Sequence, residues 1–255
     1  MTLNIAERHA EILKQLELIG SVNVNELSKE FNVSQVTIRK DLKLLEERKL
    51  LYRSHGKAIP SNPYITEYHV NIKEKLQTKE KTRIATAASS MLQPGDSIII
   101  ASGTSLTEFA RHIKNIDELT VLTASLNTAL ILSEIPNIDV IQLGGNVRKS
   151  SSSVIGPISE KMLEEFTFTK LFLGVDGIDI EYGLTTTNSM EASLNKQMIK
   201  AAQKIIILAD SSKFGKKGFG RICGLEDIDQ IITDKGIDPQ TKSNLHKLGI
   251  DVTAV

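Results

Sequence analysis

The sequence predicts an α/β protein in two unequal parts, a small helical unit ending in a β-hairpin and a larger unit built on a mostly parallel sheet. Two observations carry this. Before about residue 50 the apolar residues recur three and four apart, whereas from Ser97 onward short apolar runs alternate with helical stretches. Between them Ile59-Pro60-Ser61-Asn62-Pro63-Tyr64 carries two prolines and little periodicity, which places a first domain over 1–59, a connector over 60–77 and a second domain over 78–255.

The first part reads as three helices and a hairpin. Ile5, His9, Ile12, Leu13, Leu16 and Ile19 predict one helix with a single buried stripe, and Gly20 is a natural stop. Ser21 to Val24 suits a brief strand. Leu27 and Phe31, four apart, give a second helix over about 25–31, and Asn32-Val33 turns the chain. Ser34 is suited to cap a third helix, because its hydroxyl accepts a bond from a first-turn N–H that has no intrahelical partner. In that helix Ile38, Leu42 and Leu45 share one face, while Gln35, Val36, Arg39, Lys40 and Lys43 project from the other. Leu50 to Arg53 and Ala58-Ile59 read as strands joined by the turn Ser54-His55-Gly56-Lys57.

Two short helices joined by a tight turn and followed by a hairpin form a winged helix-turn-helix. Its outer helix face and its wing are basic. From Asn32 to Pro60 seven Lys/Arg (Arg39, Lys40, Lys43, Arg48, Lys49, Arg53, Lys57) stand against three acids (Asp41, Glu46, Glu47), in a chain of 255 residues whose net charge is zero. A neutral chain does not coat nucleic acid indiscriminately, so this local charge points to a groove-reading contact with a double-stranded DNA operator. Ser34, Gln35, Val36, Thr37, Arg39, Lys40, Lys43, Arg53, His55 and Lys57 are the candidate contacts, with Gln35, Val36 and Arg39 on base edges and the basic residues after them mostly on phosphates. One such unit buries too little surface for tight specific binding, which predicts a homo-oligomer, a dimer or tetramer, on repeated half-sites.

Other classes are set aside by what is missing. The longest apolar runs, Ile98 to Ala101 and Ile205 to Ala209, are strand-length and fall short of the roughly 20 residues a membrane span needs. The N-terminus lacks the apolar core of a secretory signal, so the expected address is cytoplasmic. Cys223 stands alone, which leaves no internal disulfide and no zinc site of paired cysteines; no metal and no cofactor are expected.

In the second part Thr78 to Met91 predicts a helix with Ile84, Ala87, Ala88 and Met91 inward. Candidate strands follow at 97–101, 120–123, 139–143, 170–175, 204–209, 230–233 and 251–254, with helices at 106–113, 126–134, 157–166, 189–203 and 239–248. This alternation implies a mostly parallel sheet with helices on both faces. Ligands in such sheets bind beyond the carboxyl ends of the strands, and five polar clusters fall there. They are Ser102, Gly103, Thr104 and Ser105; Ser125 and Asn127; Gly144 and Gly145 with Arg148; Asp176 and Asp179; and Asp210 to Lys213. Helix N-termini, hydroxyls, two cations and two carboxylates together suit a phosphorylated, hydroxyl-rich small molecule such as a sugar phosphate.

Glu7-Arg8-His9-Ala10-Glu11-Ile12-Leu13, Val36-Thr37-Ile38-Arg39-Lys40-Asp41-Leu42 and Arg53-Ser54-His55-Gly56-Lys57-Ala58 resemble the amino-terminal signature of the DeoR family of bacterial transcriptional regulators. Lys49 and Lys57 depart from it, each standing where the family usually has glycine. Leu143-Gly144-Gly145, Leu173-Gly174-Val175-Asp176-Gly177-Ile178, Gly183-Leu184-Thr185-Thr186 and Ala209-Asp210-Ser211-Ser212-Lys213-Phe214 look like the family's effector-binding domain. The resemblance implies a domain similar to ribose-5-phosphate isomerase, in which Asp176, Asp179 and Lys213 match isomerase-like patterns. It also implies a repressor of a sugar or amino-sugar catabolic operon, not an enzyme, whose DNA binding responds to a phosphorylated sugar or amino-sugar effector. Ala101, Ala124 and Asn195 depart from the common pattern, and Glu191 to Asn195 looks closer to the branch that regulates amino-sugar use. Two alternatives stay open: an activator of the same architecture, and an isomerase-like enzyme with an accessory DNA-binding domain. The enzyme needs a carboxylate base. Glu191 is its candidate, although it reads as a helix-surface charge.

Overall fold

The structure is a computed structural model that describes residues 3–19, 21–48, 50–54, 57–60, 69–114 and 116–255. The chain divides into two compact units, Met1–Thr66 and Glu67–Val255, each with its own apolar core. Gly20, Lys49, His55, Gly56 and connector residues 61–68 lie outside the described residues.

The first unit runs α1 (Ile5–Ile19), β1 (Val22–Asn23), α2 (Val24–Glu30), α3 (Gln35–Glu47), β2 (Leu51–Ser54) and β3 (Lys57–Pro60). Strand β3 lies between β1 and β2 and is antiparallel to both, which makes the wing part of a three-stranded sheet. Ile12, Leu16, Leu27, Ile38, Leu42, Leu45 and Leu51 are buried together. Each such side chain contributes about 1.5–3 kcal/mol, and this holds helices that would be marginal alone. Ile5, expected in the buried stripe, is 60% exposed, because it stands at the helix start, a turn beyond the packed part. Asp41 joins the inward face of α3, where Arg8 and His9 of α1 meet it.

The second unit opens with α4 (Val70–Glu74) and α5 (Thr78–Ser89). Part of the stretch read as connector is therefore helical: Val70 is buried and its N–H donates to the Ser150 carbonyl at 2.7 Å. On α5 the inward positions are Lys81, Ile84, Ala85 and Ala88, while Ala87 and Met91 are half-buried. Then come β4 (Ser97–Ile100), α6 (Thr104–His112), β5 (Leu119–Thr123), α7 (Leu126–Ser133), β6 (Ile138–Gln142), β7 (Asn146–Arg148), β8 (Ser153–Ile155), α8 (Pro157–Leu163) and β9 (Phe168–Leu173). The chain continues through β10 (Gly177–Asp179), β11 (Gly183–Thr186), α9 (Ser189–Lys200), β12 (Ala202–Leu208), β13 (Gly220–Cys223), β14 (Gln230–Thr233), α10 (Pro239–Lys247) and β15 (Asp251–Ala254).

The seven strands expected from the sequence form one sheet in the order β15-β14-β12-β9-β4-β5-β6, every neighbouring pair parallel. Strands buried on both faces read as unbroken apolar runs, and Ile98 to Ile100, Leu171 to Leu173 and Ile206 to Leu208 are all buried. The chain lays β5 and β6 to one side of β4 and the remaining strands to the other. Strand order thus reverses between β4 and β9, which opens a crevice beyond their carboxyl ends. Two small antiparallel sheets, β7-β8 and β10-β11-β13, complete the unit. Among the described residues, no helix is long and apolar enough to cross a membrane.

Candidate functional site

The first unit presents α3 with its polar face outward. The Ser34 hydroxyl caps the helix by accepting the Thr37 N–H at 3.1 Å and lies 2.9 Å from the Thr37 hydroxyl. Gln35, Val36, Arg39, Lys40 and Lys43 are exposed, and Val36 at 58% is an apolar side chain left in solvent. Arg39 donates to the Gln35 side chain at 3.2 Å, and Lys43 stands 3.9 Å from Glu47. On the wing Lys57 is exposed, whereas Arg53 is held by Glu46 through both its guanidinium, at 2.6 Å, and its backbone N–H, at 2.9 Å. That pairing holds the Glu46 carboxyl below its ordinary value. Arg53 is thus pre-aimed by a helix residue, and His55 lies outside the described residues.

The second unit builds its crevice at the reversal of strand order. Asp176, just past β9, takes the Lys73 ammonium at 2.6 Å, the Thr186 hydroxyl at 3.1 Å and the Thr187 N–H at 3.2 Å. Burial alone would raise its carboxyl, but Lys73 and Lys213 outweigh burial and hold it well below the usual carboxylate range. Glu191, in the first turn of α9, accepts from Ser102 at 2.9 Å, Arg148 at 3.1 Å and Thr186 at 3.3 Å. Burial and the Asp176 charge push Glu191 above its ordinary value. Expected as a surface charge, Glu191 is instead half-buried, because α9 turns its first turn towards the loop after β4.

Lysines gather beside these carboxylates. Lys81, on the inner face of α5, donates to the Lys73 carbonyl at 2.5 Å, and burial lowers its ammonium to about 8 against the pull of Asp210. Burial and Lys213 likewise lower Lys216 to about 8. Gly177 lets this segment close in, since a side chain there would meet the Lys216 carbonyl at 2.4 Å. Glu74, near Lys81, is already engaged by Arg111 at 2.8 Å. Among the described residues Lys73, Lys81 and Lys213 face Asp176 and Asp210, with Lys216 beside them, an arrangement that suits an anion. The adjacent α6 starts at Gly103 without a side-chain cap, which leaves first-turn N–H groups for the same purpose.

The structure brings together Ser102, Arg148, Asp176 and Lys213 of the expected set. Gly103, Thr104 and Ser105 open α6 at the same edge. Others are occupied locally. Ser125 is buried and caps α7 by accepting the Thr128 N–H at 3.2 Å; Asn127, half-buried, is in that helix. The Gly144 carbonyl accepts from Ser159 at 2.6 Å, and a side chain at Gly145 would meet the Ser159 hydroxyl at 2.3 Å, so this pair lets α8 pack closely. Asp179 accepts two N–H groups of the β10–β11 turn, at 2.8 and 3.1 Å, and pairs with Lys217 at 3.4 Å. Lys73, Lys81 and Lys216 were not anticipated, Thr186 entered only within the family's pattern, and Glu191 only within that pattern and as the base of the enzyme alternative. The spacing of Lys81 with Ile84, Ala85 and Ala88 was the available signal for one of them.

A winged helix-turn-helix in one unit and a charged crevice in the other suit a transcriptional regulator with its own sensor domain. Residues 8–62 match the DeoR-like helix-turn-helix domain and residues 76–235 the DeoR C terminal sensor domain. The chain belongs to the DeoR family of transcriptional regulators. It is 38% identical over 252 residues to the "Putative aga operon transcriptional repressor" of Escherichia coli O157:H7, covering 98% of this chain and 94% of that protein. It is 32% identical over 242 residues to the lactose phosphotransferase system repressor of Lactococcus lactis subsp. lactis, covering 93% and 94%. Among solved structures, one to which it is similar is a D-ribose-5-phosphate isomerase in complex with phospho-erythronic acid, with a TM-score of 0.41 and 15% identity over 54% of each chain.

Proposed function

We propose that this protein is a repressor of a sugar or amino-sugar catabolic operon, released from its operator by a phosphorylated sugar. The observation that carries the reading is the gathering of Lys73, Lys81 and Lys213 around Asp176 and Asp210, beside half-buried carboxylates and hydroxyls. A phosphate meets Lys73, Lys81, Lys213 and Lys216, and sugar hydroxyls meet Asp176, Glu191, Ser102 and Thr186. The repressors of the aga operon and of the lactose phosphotransferase system among its relatives support the sign and the substrate class. Gln35, Val36 and Arg39 read base edges while Lys40, Lys43, Arg53 and Lys57 hold phosphates, in a homo-oligomer on repeated half-sites.

Lys73 gives the site a route outward. It belongs to α4, the first helix after the connector, and it touches both Asp176 and Lys81. A ligand that draws on Lys73 changes what anchors α4, and it shifts DNA binding only to the extent that it prefers one arrangement. The test is a thermal-shift screen of hexose and hexosamine phosphates against their unphosphorylated sugars, followed by operator titration. A phosphorylated member is expected to raise the melting temperature, by the equivalent of about 2.7 kcal/mol at 100 times its Kd, and to weaken operator binding. Operator binding unmoved by every phosphorylated sugar would sink the reading.

A further inference from the structure

Arg8 and His9 belong to α1 and Asp41 to α3, yet the three side chains form one buried cluster. The Arg8 guanidinium donates through Nε to Asp41 Oδ2 at 2.6 Å, through Nη2 to Oδ1 at 3.1 Å, and through Nη1 to the Leu3 carbonyl at 3.3 Å. His9 Nε2 lies 3.1 Å from Oδ1. Arg8, His9 and Asp41 are 6%, 8% and 4% exposed, so none of them offers charge to a partner outside the unit.

Stability alone does not account for charges in this place. Removing two ions from water costs several kcal/mol each, and a well-packed apolar pair of similar volume does as well or better. What a two-pronged ion pair supplies, and apolar packing does not, is direction. The rest of the inner face of α3 is Ile38, Leu42 and Leu45, held in a cluster with Ile12 and Leu16 of α1. Such contacts are non-directional and leave a helix free to turn slightly about its axis. On a helix of roughly 5–6 Å radius, a turn of about 25° carries a side-chain tip through about 2.5 Å, more than hydrogen-bond geometry tolerates. Asp41 sits on the inward row between Ile38 and Leu45, within six residues of Gln35, Val36 and Arg39 on the outward face.

We infer that Arg8 and Asp41 are positioning residues for DNA reading: their buried two-point ion pair, with His9 as a third contact, fixes the rotation of α3 so that Gln35, Val36 and Arg39 meet base edges, and neither residue touches DNA. The inference rests on α3 being the reading helix. Arg8 thereby differs in kind from the exposed basic residues of α3 and the wing.

The experiment uses the full chain and a random-sequence duplex pool. Wild type is carried through rounds of selection, and its affinity for the enriched sequence is compared with that for an unrelated duplex across a salt series. The same measurements are made on the double variant Arg8→Met/Asp41→Leu, which replaces the ion pair with apolar volume, and on Arg8→Lys, which keeps the charge but loses the fork. Circular dichroism and a cooperative melt establish that each is folded. Both variants are expected to lose about tenfold or more in the ratio of enriched to unrelated affinity, with the salt slope on unrelated DNA unchanged. Arg8→Lys carries the test should the double variant not fold. An unaltered ratio in a folded variant overturns the positioning role, and so does a salt slope that drops by about one when Arg8 is removed, which would mark it as a phosphate contact. If wild type enriches no sequence, the assignment of α3 as the reading helix fails, and the inference falls with it.

Discussion

Asp41, buried, and Asp176, half-buried, are both carboxylates held by a cation from an earlier helix, and their surroundings differ in what is left over. Around Asp41 the charges close: one guanidinium and one imidazole meet one carboxylate, and a further guanidinium N–H finds a carbonyl. Around Asp176 the cluster stays open among the described residues, because Lys213 and Lys81 crowd the same edge as Lys73 and Lys81 is driven to about 8. A closed cluster behaves as a structural part. An open one stores electrostatic work that an incoming charge can release, and that is the physical difference between a joint and a receptor.

The contrast can be broken most severely at Asp41. Asp41→Ala leaves Arg8 buried without its counter-ion, and the first unit should lose about 3–5 kcal/mol in urea unfolding. Asp176→Asn should cost the second unit less, about 1.5–3 kcal/mol, because Lys73 keeps partial access to water. The acid limb sharpens this case. The folded carboxyl of Asp176 lies below the unfolded value near 3.9, so its contribution is full above about pH 3.9 and fades as pH falls through the folded value; the Asn variant should show a flatter loss in acid. Arg39→Ala, on the outward face of the helix that carries Asp41, should leave stability unchanged while costing about 1–3 kcal/mol in operator binding and relaxing preference at one base position, read by gel-shift competition. A further stability effect belongs to Lys216→Met, which removes an ammonium held charged against burial and should raise stability by about 1 kcal/mol at neutral pH. A lysine lowered to about 8 destabilises the folded state below that pH, and less so as pH climbs towards about 10.4. Wild type should therefore gain stability over that range and the Met variant gain less, as followed by thermal melts.

The seven strands of the main sheet were legible because each is an apolar run bounded by turn residues, and their placement located the edge where the charged crevice forms. The strands β7, β8, β10, β11 and β13 escaped notice, being three or four residues long with glycine or polar residues breaking any period. Contacts between distant parts of the chain were also out of reach: Arg8 meets Asp41 across 33 positions, Ser102 meets Glu191 across 89, and Lys73 meets Asp176 across 103. Periodicity places a side chain on a face but does not say which neighbour that face will find. Hence Glu191 read as a surface charge and Lys73 as connector. Ser125, Gly144, Gly145 and Asp179 show the converse, since residue types that suit a ligand also suit caps and tight turns.

The lysines at about 8 have a further consequence, for calorimetry. In mildly alkaline solution Lys81 and Lys216 are short of a full complement of protons, and an anion entering the crevice raises their affinity for them. Anion and hydrogen ion then bind as co-ligands, so the heat released includes the ionisation heat of whichever buffer surrenders the proton. The apparent binding enthalpy varies with the buffer above about pH 8, and the concentration at which the crevice fills drifts upward with alkalinity.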